Sequence, residues 1–477
     1  EDKLACRIDA LAPWRMRDAI KAHGLRMMEC PPEEVNPSPP PMDSGWTEAV
    51  LGQEWSGRDK YLWLTCDLEF PAQWNGRQLV GLFDFGVTGS CSTYGFEALL
   101  YVDGVPFQGV DTHHQEVYFP EHFAGRTVPV VFRLWSGLEG GGVPRIMTHV
   151  FRQAETAWLD ESVDQLYYAG RMILETLPLL SDNDPVRTAL RNALNQALLE
   201  VDWRDEGSTS FHASVQTAWG TLDRLLNSMD KQSVVDLVCV GHTHIDVAWL
   251  WRYKHTREKS ARSFSTVLRL MEQYPEYTFL QSQPQLYEYI KNDFPEIYEG
   301  IRQKIREGRW EVDGGMWIEA DCNIPSGESL TRQILVGTRF TEKEFGTRMH
   351  YLWLPDVFGY SWALPQILKK SGLDTFITTK ISWNECNQMP HDTFYWVGID
   401  GTKILTHFIT TPAASEEQGT WYYTYNGEMV PGAAAGIWNN YRNKDLTSKL
   451  LMAYGYGDGG GGVNRAELEQ RLLTKHN

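Results

Sequence analysis

The second half of this sequence alternates short apolar runs with amphipathic segments, and the alternation leaves few folds open to it. From Val234 onward it predicts strands at 234–241, 277–282, 310–314, 349–354, 374–379 and 449–456, with paired strands near 394–409. Helices are predicted between them, near 257–273, 285–306, 327–345, 363–371 and 464–475. Strands that alternate with helices favour a parallel sheet, either as an α/β barrel or as a doubly wound sheet.

Polar and aromatic residues follow nearly every one of these strands. The strand ends read HTHID, QSQPQ, DGGMWIEAD, LPDVFGY, TTKISWNE, HFITT and YGDGGGG. The carboxyl ends of parallel strands lie at one face of a barrel, where the following loops build the active site. We therefore predict a site assembled from several strands.

His244 and Asp246 come directly after the first of these strands. In an extended segment, side chains two residues apart point to the same side, so an imidazole nitrogen and a carboxylate oxygen can reach one ion. The pair predicts half of a metal site, with His242 as a supporting residue rather than a ligand. A solvated turn or a self-satisfied hydrogen-bond cluster is the alternative for an isolated pattern of this kind.

Two further carboxylates end later strands. Asp356 follows an apolar strand and Pro355, and it could serve as a metal ligand, as a nucleophile or as the N-cap of the next helix. Asp458 precedes four glycines, which leave room for a ligand to approach the backbone. That placement suits a general acid and base, with a flexible loop or a phosphate cradle as alternatives.

The first half of the chain has a different pattern of apolar and polar residues. Residues 1–45 predict a helix to about residue 30 followed by a proline-rich arm, and residues 46–154 predict an all-β sandwich of jelly-roll type. In residues 155–231 the apolar residues recur with a period of 3.6 residues. This pattern predicts a small helical bundle, in which Asp184 and Pro185 begin the second helix. Residues 232–477 form the predicted α/β domain.

Composition limits the partners. The formal charge of −18 argues against nucleic acid and anionic membranes, and no apolar run is long enough to cross a bilayer. Seven widely spaced cysteines without a CxxC pair are typical of reduced thiols, which predicts a cytoplasmic protein. The missing initiator methionine suggests a fragment, and homo-oligomerisation stays open.

Four segments, in this order, resemble one known family. GHTHIDVAWLWR, GGMWIEADCNIPSGESLTRQ, WLPDVFGYSWALPQIL and YGDGGGG are similar to glycoside hydrolase family 38, the α-mannosidases, and specifically to their cytosolic type. The resemblance implies a β-sandwich and helices that precede a (β/α)7 barrel of seven strands. It also implies retaining hydrolysis of terminal α-mannosides in oligosaccharides through a covalent glycosyl-enzyme.

The resemblance also implies roles for individual residues. Asp356 matches the nucleophile of the family, and Asp458 lies where we assign the acid/base. His244, Asp246 and Asp356 match the ligands of one divalent metal, for which zinc is the first expectation and cobalt the second. Trp249 is expected to stack on the sugar, and Lys380 matches a basic residue near the nucleophile.

The sequence departs from the family at two places. The fourth metal ligand of the family is a histidine far beyond the glycine-rich segment, whereas this sequence ends at Asn477, and His476 lacks the matching context. A sugar-contacting aspartate normally precedes the Tyr-Asn pair, where this chain has Tyr423 and Thr424. Glu416 or Glu417 could replace it, and a solvated insertion is the alternative.

Two other functions compete with the mannosidase interpretation. Metal-dependent deacetylases of polysaccharides also place His and Asp at strand ends, and there Asp356 would be only a ligand or a base. The third interpretation is an inactive fragment that binds mannose without cleaving it.

Overall fold

The computed structural model describes residues 1–30, 38–42, 45–86, 96–139, 142–230, 235–413 and 422–474. Glu416, Glu417 and His476 lie outside these ranges. Within them, every helix is too short or too polar to span a lipid bilayer.

The strands of the amino-terminal region form a β-sandwich. They are β1 (Met16–Lys21), β2 (His23–Cys30), β3 (Thr47–Glu48), β4 (Glu54–Gly57), β5 (Tyr61–Phe70), β6 (Leu79–Asp84), β7 (Glu97–Val102), β8 (Val105–Asp111), β9 (Glu116–Phe119), β10 (Arg126–Trp135), β11 (Met147–Val150) and β12 (Gln153–Leu159). Among the described residues they pair antiparallel in the orders β1-β12-β6-β9, β3-β2-β5-β10-β7-β8 and β11-β4. The two larger sheets enclose an apolar core, in which the Phe83 and Phe132 rings lie 4.8 Å apart. The predicted sandwich is confirmed.

The amino-terminal segment differs from the prediction. Its helix, α1 (Asp2–Leu11), ends well before residue 30, and the chain then forms β1 and β2. These strands pair with β12 and β5, so the sandwich draws strands from before residue 46. A helix-like pattern of apolar residues predicts a helix only weakly, and pairing with neighbouring strands overrides it here.

Helices α2 (Glu161–Thr176), α3 (Pro185–Glu200) and α4 (Thr209–Asn227) follow the sandwich. They share one apolar core with Leu4, Ile8 and Leu11 of α1. Asp184 caps α3 by accepting a hydrogen bond of 2.8 Å from the N–H of Val186, as the Asp-Pro pair predicts. The predicted helical bundle is confirmed.

Strands and helices alternate through the remaining chain, as predicted. The strands are β13 (Asp236–His242), β14 (Phe279–Leu280), β15 (Trp310–Glu311), β16 (Tyr351–Trp353), β17 (Thr375–Thr378), β18 (Thr393–Val397), β19 (Lys403–Phe408) and β20 (Lys449–Tyr454). The helices are α5 (Tyr253–Gln273), α6 (Pro284–Asp293), α7 (Pro295–Arg306), α8 (Gly327–Phe345), α9 (Leu364–Lys370), α10 (Pro431–Asn440) and α11 (Arg465–Thr474). Only α10, which is rich in glycine and alanine and has no clear apolar period, was not predicted.

The described strands of this region form two four-stranded sheets, in the orders β15-β14-β13-β20 and β16-β17-β19-β18. All pairs are parallel except β18 with β19. An isolated parallel bridge between Gly314 and Leu352 joins the two sheets. Leu280, Trp353, Ile409 and Ala453 form a buried cluster between them. The mixed helix and sheet domain is therefore present, while closure of its sheets into a seven-stranded barrel stays a prediction.

Helix α5 of the α/β region packs against the sandwich on one side and against β14 and β15 on the other. Strand β5 of the six-stranded sheet is buried on both faces, because its Leu62 and Leu64 point into the sandwich core whereas its Tyr61 and Trp63 pack in the core that contains α5. On β8, the N–H of Gly109 donates a hydrogen bond of 3.1 Å to the Thr266 hydroxyl of α5. The sandwich is thus packed directly against the domain that carries the candidate site.

Candidate active site

The candidate site residues lie just beyond the carboxyl ends of four parallel strands. His244 and Asp246 follow β13, Asp356 follows β16, Lys380 follows β17, and Asp458 follows β20. Parallel strands deliver their carboxyl ends to one edge of a sheet, so residues distant in sequence can meet there. The predicted assembly of the site from several strand ends agrees with this arrangement.

His244, Asp246 and Asp356 form a compact cluster of potential metal ligands. The Nε2 atom of His244 lies 3.3 Å from Oδ1 of Asp246 and 3.7 Å from Oδ2 of Asp356. One ligand atom from each residue lies within 4.8 Å of the others. One imidazole nitrogen and two carboxylate oxygens that face a common point fit a divalent cation such as zinc.

Glu319, which the sequence did not single out, holds the other side of His244. Its Oε2 lies 2.7 Å from Nδ1 of His244, and its Oε1 accepts a hydrogen bond of 2.8 Å from Ser282. The side-chain oxygen of Gln283 accepts the N–H of Glu319 at 3.2 Å. Burial lowers the pKa of His244, but the charges of Glu319 and Asp246 outweigh it and raise the pKa well above its usual value. A carboxylate on Nδ1 directs Nε2 toward the ligand cluster.

Replacing Glu319 with glutamine is expected to weaken the affinity of the cluster for an added divalent ion such as zinc by about 10- to 100-fold, because the imidazole loses the carboxylate that orients it. Equilibrium dialysis against zinc, with the bound metal measured by mass spectrometry, gives the affinity. Glu328→Gln is a matched control, since Glu328 is exposed on α8 and pairs with Arg332 at 2.7 Å. Equal zinc affinity of the Glu319 variant and the control would contradict the orienting role.

His242 contacts a tryptophan rather than the carboxylates of the cluster. Its Nε2 accepts a hydrogen bond of 3.1 Å from the indole N–H of Trp353, and its ring is buried. Burial, together with the charge of His244, lowers the pKa of His242 to about 3. The residue is therefore neutral, its Nε2 is occupied by Trp353, and its supporting role stays a prediction.

Lys380 and Asp356 form an ion pair. Lys380 Nζ lies 2.9 Å from Oδ1 of Asp356, and both side chains are largely shielded from solvent. The same ammonium lies 3.5 Å from the centroid of the Trp383 ring, which fixes it from the other side. The pair leaves Oδ2 of Asp356 directed toward His244.

Asp458 is held by two residues from another loop. Tyr425 donates its hydroxyl to Oδ1 at 2.9 Å, and Asn426 lies within 3.5 Å of Oδ2. Burial raises the pKa of Asp458, with a further contribution from Asp356 that the charge of His244 opposes. A buried carboxyl group with a raised pKa retains a proton more readily, which is the state that a general acid needs.

The sequence predicts an open loop after Asp458, whereas the structure shows the glycines of this segment packed against other residues. Gly459, Gly461 and Gly462 are buried and adopt positive φ angles of +79°, +91° and +81°. A Cβ atom on Gly459 would lie 2.8 Å from Cδ of Lys259, and one on Gly461 would lie 2.7 Å from Cε1 of His114. Glycine suits these positions because their left-handed φ angles disfavour residues with a Cβ, and at Gly459 and Gly461 neighbouring side chains also occupy the space that a Cβ would need.

Trp249 lies in the loop after β13 and is 51% exposed. Its ring meets Trp251 edge to face, with centroids 5.4 Å apart. A half-exposed indole held by a neighbour suits stacking against a sugar, and that role stays a prediction.

Comparison with known proteins identifies two regions. Residues 234–475 match the glycosyl hydrolases family 38 N-terminal domain, and residues 21–129 match the alpha-mannosidase jelly roll domain. Alpha-mannosidase G of Dictyostelium discoideum is 31% identical over 448 residues, which cover 90% of this chain and 38% of that protein. Alpha-mannosidase 2C1 of Homo sapiens is 33% identical over 423 residues, covering 86% of this chain and 38% of that protein.

A crystal structure of an alpha-mannosidase from Enterococcus faecalis V583 aligns with a TM-score of 0.40 and 22% identity over 50% of this chain and 27% of its own. The chain spans 38% of the length of alpha-mannosidase G and 38% of that of alpha-mannosidase 2C1. The match to residues 234–475 contains every candidate site residue named above and exceeds half of the sequence. The chain therefore belongs to glycosyl hydrolase family 38.

Proposed function

We propose that this chain carries the catalytic domain of a retaining, metal-dependent α-mannosidase that removes terminal α-mannosides from oligosaccharides. The observation that supports it best is the meeting of Asp356 with His244 and Asp246, because one residue is then both a candidate nucleophile and a candidate metal ligand. The relatives named alpha-mannosidase support the same substrate class. A cytoplasmic location and any homo-oligomer remain predictions.

In the first step, a carboxylate oxygen of Asp356 attacks the anomeric carbon of the bound mannoside. The bond between that carbon and the leaving oxygen breaks, and Asp458 gives its proton to the leaving oxygen. In the second step, Asp458 takes a proton from water, the water oxygen attacks the anomeric carbon, and Asp356 is released. Two displacements return the sugar with its original anomeric configuration.

The other residues position these groups. Lys380 fixes the carboxylate of Asp356, and Tyr425 fixes that of Asp458. Trp249 is proposed to stack on the apolar face of the sugar. His244, Asp246 and Asp356 would hold the divalent ion, zinc in our proposal with cobalt as the alternative. When bound, the ion would supply binding energy to adjacent sugar hydroxyls that helps to distort the ring toward the transition state.

The test is to trap the covalent intermediate with a fluorinated α-mannosyl fluoride in the full-length protein and to locate the label by mass spectrometry. We expect the label on Asp356 and none on an Asp356→Asn variant. A label on a different residue would refute the nucleophile assignment. Acetate release from an acetylated glycan, without mannoside cleavage or labelling, would indicate a deacetylase. Mannose binding that survives a chelator, without hydrolysis, would indicate a binding protein.

A further inference from the structure

The segment that carries Asp458 is a closed loop in an unusual backbone conformation. Tyr456 and Gly462 exchange two backbone hydrogen bonds of 3.1 and 2.9 Å, and Asp458 lies at the turn between them. Its φ angle is +52°, a left-handed value that residues with a side chain seldom adopt. Such a conformation persists only where surrounding contacts hold it, so the neighbours of this loop help to set the direction of the Asp458 carboxyl group.

Some of those neighbours come from the β-sandwich. The turn between β8 and β9 places the ring of His113 on the ring of Tyr456, with centroids 3.7 Å apart and planes 16° from parallel. The backbone carbonyl of His113 also accepts a hydrogen bond of 3.3 Å from the Asn464 side chain. Nε2 of the buried His114 lies 3.1 Å from the carbonyl oxygen of Val463. These contacts bracket the loop at both of its ends.

Asp111, at the end of β8, makes the turn rigid. Its Oδ1 accepts the backbone N–H groups of His113 and His114 at 2.8 and 3.1 Å and lies 2.9 Å from Nδ1 of His114. Both ring nitrogens of His114 therefore face oxygen atoms, and each can donate to its oxygen when the imidazole is protonated. Burial lowers the pKa of His114, but the Asp111 carboxylate outweighs burial and raises it, which favours that form.

A second set of side-chain contacts connects the sandwich to the same loop. Glu97 of β7 pairs with the buried Lys259 of α5, and the Lys259 side chain lies against Gly459, next to Asp458. On the other side of the turn, Gly461 lies against His114. Because these glycines leave no space between the loop and its neighbours, displacement of the β8–β9 turn would displace the loop as well.

We propose that the β-sandwich has a direct part in catalysis, in which His113 and His114 are positioning residues that hold the Asp458 loop in the geometry for proton transfer. This inference rests on the proposed role of Asp458 as general acid and base. It gives the sandwich a task within the reaction and makes the β8–β9 turn a place where a change outside the α/β region alters the chemical step.

Two substitutions of His114 separate its contacts. The side-chain amide of glutamine can reach the place of Nε2, so His114→Gln keeps a donor for the Val463 carbonyl. The shorter asparagine reaches only the place of Nδ1, so His114→Asn keeps the Asp111 contact and loses the Val463 contact. His113→Phe and His113→Ala form a second pair, in which only phenylalanine keeps a ring on Tyr456.

The measurement is kcat/KM of the full-length protein on two mannosides. Methyl α-mannoside has a poor leaving group that needs the proton of Asp458, whereas dinitrophenyl α-mannoside does not. For His114→Asn and His113→Ala we expect a loss of about tenfold or more on the methyl mannoside and less than about twofold on the dinitrophenyl mannoside. His114→Gln and His113→Phe are expected to remain close to the parent. Equal losses on both substrates, or no loss, would overturn the positioning role.

Hydrogen exchange of the amides in residues 456–463 provides a readout that does not depend on turnover. Faster exchange in His114→Asn and His113→Ala, but not in the conservative variants, would support the inference, and unchanged exchange would refute it. A parent protein that hydrolyses neither mannoside would refute the proposed function, and the exchange result would still decide whether the turn holds the loop.

Discussion

Replacing Asp356 with asparagine is expected to lower kcat/KM for an aryl α-mannoside by about 10⁴-fold or more. The substitution keeps the size of the side chain but removes the anionic oxygen that attacks the anomeric carbon. It also removes one oxygen from the ligand cluster and leaves Lys380 without the carboxylate that lies 2.9 Å away. Steady-state kinetics on the full-length protein measures the loss.

Asp374→Asn is the matched control, because Asp374 also pairs with a lysine, Lys369, but is exposed on the surface of the same domain. We expect this control to keep the parent kcat/KM within about twofold, since exposed ion pairs contribute little. Thermal unfolding of both variants separates a catalytic loss from a folding defect. Substantial turnover by a folded Asp356→Asn protein would rule out Asp356 as the nucleophile.

The second large expected effect is a loss of stability when the contact between the sandwich and α5 is broken. Arg133 of β10 pairs with Glu258 of α5 at 3.0 Å, and their side chains are only 5% and 9% exposed. Tyr61 donates a further hydrogen bond of 2.7 Å to Glu258. Replacing Arg133 with methionine leaves a buried carboxylate without its cation, so the free energy of unfolding is expected to fall by about 3–5 kcal/mol.

Denaturant unfolding of the full-length protein measures this loss. Arg152→Met is the matched control, because Arg152 pairs with Asp84 at 2.8 Å in the same sandwich but is 44% exposed. The control is expected to cost less than about 1 kcal/mol. The double substitution of Arg133→Met with Glu258→Leu is expected to recover part of the stability, since it removes the stranded charge. Equal costs for the two single variants would contradict the role of the buried pair.

Local periodicity predicted most elements of the α/β region closely. The predicted helix at 327–345 is observed as Gly327–Phe345, and the predicted strand at 374–379 as Thr375–Thr378. Helix and strand periods are properties of neighbouring residues, so a sequence carries them without the fold. The same argument failed at residues 16–30, where pairing with β12 and β5 decided the structure.

The candidate site was predictable in part. His244, Asp246, Asp356 and Asp458 each follow a predicted strand, and the order of strand ends implied that they would meet. Glu319 also lies in a predicted strand end, DGGMWIEAD, but that segment holds three acidic residues, and only the packing of the chain shows which of them contacts His244. The same holds for the hydroxyl of Tyr425 on Asp458, which depends on how two loops pack.

The sequence by itself determined the alternation of strands and helices, the strand-end positions of the acidic and imidazole groups, and the family to which they belong. Only the tertiary structure decided that Glu319 orients His244, that the glycines after Asp458 are packed rather than open, and that the sandwich reaches the Asp458 loop through His113 and His114. The physical reason is the distance along the sequence over which each kind of interaction acts. Periodicity and turn chemistry act within a few residues, whereas the contacts that orient a catalytic group join side chains that meet only when the whole chain has packed.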